Sequence, residues 1–263
     1  MSRRLEGKAA LVTGAGRGLG RDIAARLARE GAEIALHYHR SAEGARSLAA
    51  EIAAGGGKAI EIAGDLRDAD ACARIVAAAE DELGRVDILV LNAGIAKGGP
   101  MMAGDVAGMR ETIEVNLLAA LYVTAAAVPG MLRRRFGRVV AVSSPTAEHG
   151  GLQGQCAYTA SKAGLVGFVK TLANELSPRA DFTANVVSPG VIATDMSSLG
   201  IQAFGDQLRA AIPLHRFGEP GDVAAAVAFL VSADGSYVNG QNLAVDGGYS
   251  LKYVSRRRAP GAE

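Results

Sequence analysis

Thr13-Gly14-Ala15-Gly16-Arg17-Gly18-Leu19-Gly20 is the stretch that decides the fold. An apolar run at residues 9–13 leads straight into this glycine turn, and helical spacing of apolar residues begins directly after it. A strand, a glycine turn and a helix in that order supply what a dinucleotide's phosphates need. Glycines let the backbone approach a pyrophosphate, and a helix start presents free N–H groups and the positive end of its dipole. A tight turn alone would write the same letters, so the position after the first strand is what makes the reading specific.

Outward from the turn, the same rhythm repeats. Short apolar runs stand at residues 34–36, 59–62, 86–91, 139–143, 182–187 and 243–245. Between them lie Ala-rich stretches of helical period at 21–30, 42–54, 69–83 and 154–176. Strands alternating with helices predict an α/β Rossmann-type doubly wound parallel sheet of about seven strands, with helices on both faces. No internal repeat or Pro/Ser linker divides the chain, and residues 1–263 read as a single dinucleotide-binding domain. Residues 194–216 break the rhythm with a weak helical pattern and read as a substrate loop or lid. Residues 249–263, with Arg256-Arg257-Arg258, read as a solvated C-terminal tail.

Composition excludes several classes. The chain is 49% hydrophobic and has no strong charge excess, which argues against disorder. Its 28 basic residues stand against 27 acidic ones, so no nucleic-acid partner is expected. Cys72 and Cys156 make no metal-type or disulfide spacing, and the four histidines, His37, His39, His149 and His215, have none either; the expectations are no metal and a reducing, cytoplasmic setting. The N-terminus lacks the apolar core of a signal peptide. The longest uncharged stretch, 115–132, contains Asn116 and Pro129 and reads as a buried or interface helix, with no membrane partner.

The second strand selects the cofactor. NAD sites place an acid at its end to bind the ribose 2′-OH, whereas this chain reads His37-Tyr38-His39-Arg40-Ser41. Arg17 inside the turn and Arg40 after the strand provide two guanidinium groups for a 2′-phosphate, and the cofactor reads as NADP(H). Further along, Tyr158-Thr159-Ala160-Ser161-Lys162 places a tyrosine and a lysine one helical turn apart on one face. A nearby ammonium favours the phenolate and would lower the tyrosine pKa. Alone, that pair is more often a surface feature.

With the glycine turn, however, the chain resembles the short-chain dehydrogenase/reductase family over nearly its whole length. The motifs that carry the resemblance are residues 13–20, Asp65, Asn92-Ala93-Gly94, Asn116, Ser143-Ser144, Tyr158 with Lys162, Ser188-Pro189-Gly190 and Val245-Asp246-Gly247-Gly248, in that order. Ile212-Pro213-Leu214, Arg216-Phe217-Gly218-Glu219-Pro220 and the closing Gly240-Gln241 are similar to the 3-oxoacyl-(acyl-carrier-protein) reductase branch.

The resemblance implies roles. Tyr158 would be the general acid that protonates a carbonyl oxygen as hydride arrives, and Lys162 would hold the ribose and lower the tyrosine pKa. Asn116 would anchor a water relay, though a buried helix amide is a rival reading. Asp65 and Leu66 would border the adenine, while Asn92, Ala93 and Gly94 line the cleft; Pro189, Gly190, Ile192 and Thr194 would hold the nicotinamide end. The Tyr-x-x-x-Lys spacing speaks against the enoyl-reductase branch.

One departure matters. The family's serine usually stands thirteen residues before the tyrosine, where this chain has Pro145. Either an extra residue is looped out within 146–151 and Ser144 takes the catalytic place, or proline holds that place and the hydroxyl is lost; Ser143 and Thr146 are the other candidates. His149 and His215 flank the presumed substrate cleft, and Cys156 reads as packing.

The function expected is NADPH-dependent reduction of a 3-oxoacyl thioester or similar ketone, small or carrier-bound. An alcohol dehydrogenase for a sugar, steroid or polyketide is the alternative, and a non-catalytic NADP-binding sensor the rival from another class. An acyl carrier protein would want a basic patch at the cleft, for which Arg133-Arg134-Arg135 and Arg209 are available. Helices around 116–132 and 154–176, apolar over most of their circumference, need cover on every side; in the resembled family such helices pack between subunits, which implies a homotetramer, with a dimer as second choice.

Overall fold

The computed structural model describes residues 3–194 and 198–251. Strands β1 (Ala9–Val12), β2 (Glu33–Tyr38), β3 (Ala59–Ala63), β4 (Ile88–Leu91), β5 (Phe136–Val142), β6 (Asp181–Pro189) and β7 (Asn242–Val245) build one sheet in the order β3-β2-β1-β4-β5-β6-β7. Every pairing is parallel. The helices are α1 (Gly18–Arg29), α2 (Ala42–Ala54), α3 (Ala69–Leu83), α4 (Val106–Ile113), α5 (Ala119–Arg133), α6 (Thr146–His149), α7 (Cys156–Leu176), α8 (Ser198–Ala211) and α9 (Pro220–Val231).

The sheet is covered on both faces, which is why its strands read as unbroken apolar runs. Ala9 and Leu11 face a core built with α3, α5 and α7. Ala10 and Val12, pointing the other way, face a second core with α1, α2 and α9. β1 lies between β2 and β4, so the chain reverses its direction of winding there. The crevice outside the carboxyl ends of β1 and β4 is therefore the ligand position of such sheets.

Helices α2 and α3 have the bounds the periodicity predicts, and all seven strands form where expected. β5 begins earlier than its apolar run, because Phe136, Gly137 and Arg138 pair with Asp181, Phe182 and Thr183. Arg138 is buried there and donates to the Asp181 carboxylate at 2.8 Å. Within residues 194–216, the segment with the weak helical pattern, residues 198–211 are helical, with a break at Phe204. The tail's first residues continue in a turn, since Asp246 accepts the N–H groups of Gly248 and Ser250; residues 252–263 lie outside the described part.

Among the described residues one helical run, Val106–Arg133, is long and apolar enough by composition to cross a membrane. It packs on α3 and α7 and carries a buried asparagine, as expected of a packed core helix. The arginine triplet that follows it is not at the cleft. Arg134 reaches the Val86 carbonyl and Glu80 beside the start of β4, so the triplet sits at the amino edge of the sheet, opposite the carboxyl edge. A chain that leaves a helix to enter a parallel strand must do so at that edge.

Candidate active site

Thr13 and its turn are clamped from β4. The Thr13 hydroxyl accepts from the backbone N–H of Asn92 (2.9 Å) and of Ala93 (3.1 Å). In return the Asn92 amide donates to the carbonyls of Thr13 (2.9 Å) and Gly14 (3.3 Å). Close packing explains two of the glycines. A Cβ on Gly20 would strike the Gly14 carbonyl and the Asn92 side chain, and one on Gly16 would strike Ser41. The start of α1 has no side-chain cap and no acid in its first turn, so its N–H groups and dipole are left for an anion. This cradle fits a dinucleotide pyrophosphate.

Gly16 touching Ser41 also brings Arg17 and Arg40 to one rim. Both arginines are exposed, and among the described residues neither forms an ion pair. Asp65, after β3, is gripped by Arg67, whose Nε lies 3.0 Å from each carboxylate oxygen; that partner holds the Asp65 carboxyl down at about 2. Leu66 beside it is buried. The structure thus places Asp65, Leu66, Asn92, Ala93 and Gly94 along one edge with the turn.

The second half of the site gathers at the ends of β5 and β6 and on α7. Tyr158 and Lys162 share a face of α7, with Nζ 5.7 Å from the centre of the phenol ring. Lys162 is buried, donates to the Val142 carbonyl at 2.8 Å, and is lowered by that burial to about 8. The tyrosine differs from expectation. Burial raises its pKa, and a hydrogen bond with Ser144 opposes the rise without cancelling it. The phenol is therefore held protonated, in the form a general acid needs.

Ser144 is the serine that faces Tyr158. Ser143 is turned away and donates to the Lys162 carbonyl at 2.9 Å. Pro145 caps the short helix α6, which carries residues 146–149. Thr146 donates its N–H to the Ser144 hydroxyl at 3.3 Å, while its own hydroxyl is buried with no partner. Of the alternatives the sequence left open, the geometry brings Ser144 and not Pro145 to the tyrosine.

A π-turn at Glu114–Leu118 interrupts the long helix at Asn116. The Asn116 amide accepts from Ile95 N–H (2.8 Å) and donates to the Ile95 carbonyl (2.9 Å) and the Ser161 hydroxyl (3.0 Å). It stands with Lys162 against Gly94, where a Cβ would lie 3.4 Å from both side chains. Pro189 and Gly190 close β6, with Gly190 packed on Asp246. Ile192 bridges to Gly218, and Thr194 is the last described residue of that segment. His149 and His215 are exposed.

Sequence reasoning missed Ser161, Glu148, Asn242 and His37 as contributors. Ser161, inside the Tyr-Thr-Ala-Ser-Lys string, joins Asn116 to α7. Glu148 accepts from the Asn242 amide at 2.8 Å, and Ser188 donates to the same amide's oxygen at 2.7 Å, which ties α6 to β6 and β7. His37 lies under the glycine turn. Only Ser161 had a local signal; the others are tertiary contacts between distant segments.

Comparisons with known proteins agree with this geometry. A family model described as enoyl-(acyl carrier protein) reductase matches residues 14–250. A 3-oxoacyl-(acyl-carrier-protein) reductase of Staphylococcus aureus is 39% identical over 241 residues, covering 92% of this chain and 97% of the relative. A reductase of the same name from Synechocystis is 36% identical over 245 residues, covering 93% and 97%. Among solved structures, a short-chain dehydrogenase of Burkholderia cenocepacia in complex with NADP superposes with a TM-score of 0.87 at 39% identity, over 94% of this chain and 99% of that one.

Proposed function

The chain belongs to the short-chain dehydrogenase/reductase family of oxidoreductases, and from that premise we propose that it is an NADPH-dependent ketoreductase acting on a 3-oxoacyl thioester or a similar ketone. The observation that carries this reading is the hydrogen-bonded pair of Ser144 and a half-buried Tyr158 on the helix face that also holds Lys162. NADPH supplies the hydride for the carbonyl carbon. The chain's own residues handle the oxygen. The Ser144 hydroxyl and the Tyr158 phenol converge on one point, so negative charge developing on a carbonyl oxygen there meets two donors. Tyr158 passes its proton to that oxygen and yields the alcohol. Lys162, fixed by Val142, places positive charge behind the phenol as it loses its proton. Asn116 fixes the bulged turn behind the lysine through Ile95 and Ser161.

The exposed Arg17 and Arg40 support a 2′-phosphate and hence NADP(H), as does the NADP in the Burkholderia structure. The spacing of Tyr158 and Lys162 favours carbonyl reduction over the enoyl reduction that the family model's description names. The relatives' names support a carrier-bound substrate, with an acyl carrier protein as partner. Arg209, stacked on Phe217, is the one expected basic residue on the substrate segment. Half-buried apolar side chains on α5 and α7, Tyr122, Val128, Val166 and Phe168 among them, support assembly into a homotetramer. Cys72 and Cys156 are free thiols, consistent with a cytoplasmic enzyme.

The test is NADPH consumption with acetoacetyl thioesters of carrier protein and coenzyme A beside a panel of small and sugar ketones. Turnover of a thioester is the expected result. Binding of NADPH with no turnover of any carbonyl would replace the reading with a non-catalytic sensor.

A further inference from the structure

His37 lies in β2, 2% exposed, directly beneath the glycine turn. Both ring nitrogens are engaged. Nδ1 stands 3.2 Å from the backbone nitrogen of Gly14, and Nε2 stands 3.2 Å from the Gly64 carbonyl. An amide N–H can only donate and a carbonyl can only accept. The two contacts together therefore fix one tautomer, with Nδ1 bare and the proton on Nε2. Burial also holds the ring neutral, down to about 4.

The position of these partners gives the ring a task. Gly14's carbonyl is taken by Asn92 from β4, and its N–H by His37 from β2, so both polar groups of the turn's first glycine are held by side chains of the flanking strands. The His37 carbonyl accepts from Ala15 N–H at 2.8 Å and fixes the next residue as well. On its other side the ring reaches Gly64, the residue before Asp65. One imidazole thus braces the phosphate turn against the end of β3.

We infer that His37 is a positioning residue for cofactor binding, a neutral strut that presets the phosphate turn through its Nδ1 acceptor. It touches neither substrate nor reacting atoms in this arrangement. The inference rests on the cofactor reading given above and extends it to a residue that the family motifs do not contain. A strut of this kind acts on dinucleotide affinity and leaves the chemical step alone, because Tyr158, Ser144 and Lys162 hang on β5 and α7.

Two substitutions separate its halves. His37→Gln keeps a donor near the Nε2 position but lacks the Nδ1 acceptor, whereas His37→Asn keeps an acceptor near Nδ1 and gives up the Gly64 contact. NADPH dissociation constants, read by nucleotide fluorescence, should rise about tenfold for His37→Gln, the size of one neutral hydrogen bond. They should stay within about threefold for His37→Asn, and kcat at saturating NADPH should change less than about twofold in both. Equal affinities in the two variants, or a loss carried by kcat, would overturn the inference. Should either variant fail to fold, the ring ¹⁵N spectrum of the wild-type protein at pH 7 decides. An Nε2–H tautomer for His37 supports the strut, and an Nδ1–H tautomer or an imidazolium sinks it. Wild-type protein that binds no NADPH would overturn the cofactor reading instead, and the tautomer would still judge the strut.

Discussion

The carboxyl edge of the sheet is built in two ways. Over β1, β2 and β4 the backbone of the glycine turn is bound from both sides, by Asn92 and His37, and two of its glycines, Gly16 and Gly20, are packed too tightly to take a side chain. Over β5 to β7 the chain leaves the sheet in the short helix α6 and the broken helix α8, and large apolar side chains stand open. Leu152 is 70% exposed, Phe204 57% and Leu214 63%. The first region answers a ligand of fixed shape, a pyrophosphate, with preset backbone. The second, in the function proposed above, would meet a substrate with side chains that are still open. Between them stand Tyr158, Ser144 and Lys162, anchored in the core and reaching the open side.

The sharpest way to break this comparison is to remove the proton donor between the two regions. Tyr158→Phe keeps the ring and its packing, so turnover should fall at least 10²-fold, while NADPH affinity measured by fluorescence stays near the wild-type value. Near-normal turnover would take Tyr158 out of the mechanism. A loss of NADPH affinity would mean that the two regions are not separable.

Ser144→Ala is the next largest effect. Ser144 is the hydroxyl paired with Tyr158, whereas Ser143 is spent on the Lys162 carbonyl. Steady-state assays should show kcat reduced about tenfold or more for Ser144→Ala. Ser143→Ala should act on stability more than on rate, and Thr146→Ala, which removes a buried hydroxyl with no partner, should leave turnover close to normal. If Thr146→Ala is the variant that loses activity, α6 rather than β5 supplies the donor.

A third prediction uses pH. Lys162 is buried and lowered to about 8 from its ordinary 10.5. Below about pH 8 the native state thus carries a charge that burial opposes. Between about pH 8 and 10.5 the unfolded chain binds more protons than the folded one, so wild-type stability rises with pH in that window. The cost at pH 7 is roughly 3 kcal/mol. Lys162→Met should remove it, offset in part by a Val142 carbonyl left without its donor. Urea denaturation at pH 7 should show a net gain of about 1–2 kcal/mol for the variant, shrinking towards zero or below by pH 10. Turnover should be lost at both pH values. A variant less stable than wild type at pH 7 would mean that Lys162 contributes to the fold more than burial takes away.

The two regions also differ in how far the sequence revealed them. Runs such as Ala9–Val12 and the spacing of α2 and α3 are legible because a strand or helix buried against a sheet must be apolar with a definite period. The glycine turn is legible because steric limits leave few other residues there. β5 hid its first residues because Arg138 is a charge in the core, made tolerable by Asp181, forty-three residues away, with the Gly137 carbonyl and the Phe136 ring beside it. α8 hid behind Gly200, Phe204 and Gly205, which dilute the helical pattern and break it at Phe204. His37, Glu148 and Asn242 had no local signal, since each is defined by a partner on another strand or helix. The Pro145 ambiguity could not be settled by counting residues. It required the position of α6, which is a tertiary fact.

The smallest effect expected lies at the rim of the cofactor region, and it sharpens the comparison by asking how preset that region is. Arg17 and Arg40 reach one rim because Gly16 packs on Ser41, yet both side chains are exposed. A guanidinium in water gains less from a phosphate than a desolvated one, because solvent screens the pair and the free side chain loses rotamer freedom on binding. The Arg40 charge also acts on Glu111, whose carboxyl it helps hold below the ordinary range after the larger effects of Lys97 and Arg67. Arg40→Ala should therefore raise the NADPH Michaelis constant only several-fold, on the order of 1 kcal/mol, and leave NADH almost unchanged. The NADPH effect should weaken as ionic strength rises from about 0.01 M, where charges are felt over about 30 Å, to 1 M, where they are felt over about 3 Å. An equal loss for NADPH and NADH would assign Arg40 to the turn's architecture and not to the 2′-phosphate. A wild-type protein that prefers NADH would remove both arginines from cofactor selection and leave the missing acid at the end of β2 without a functional reason.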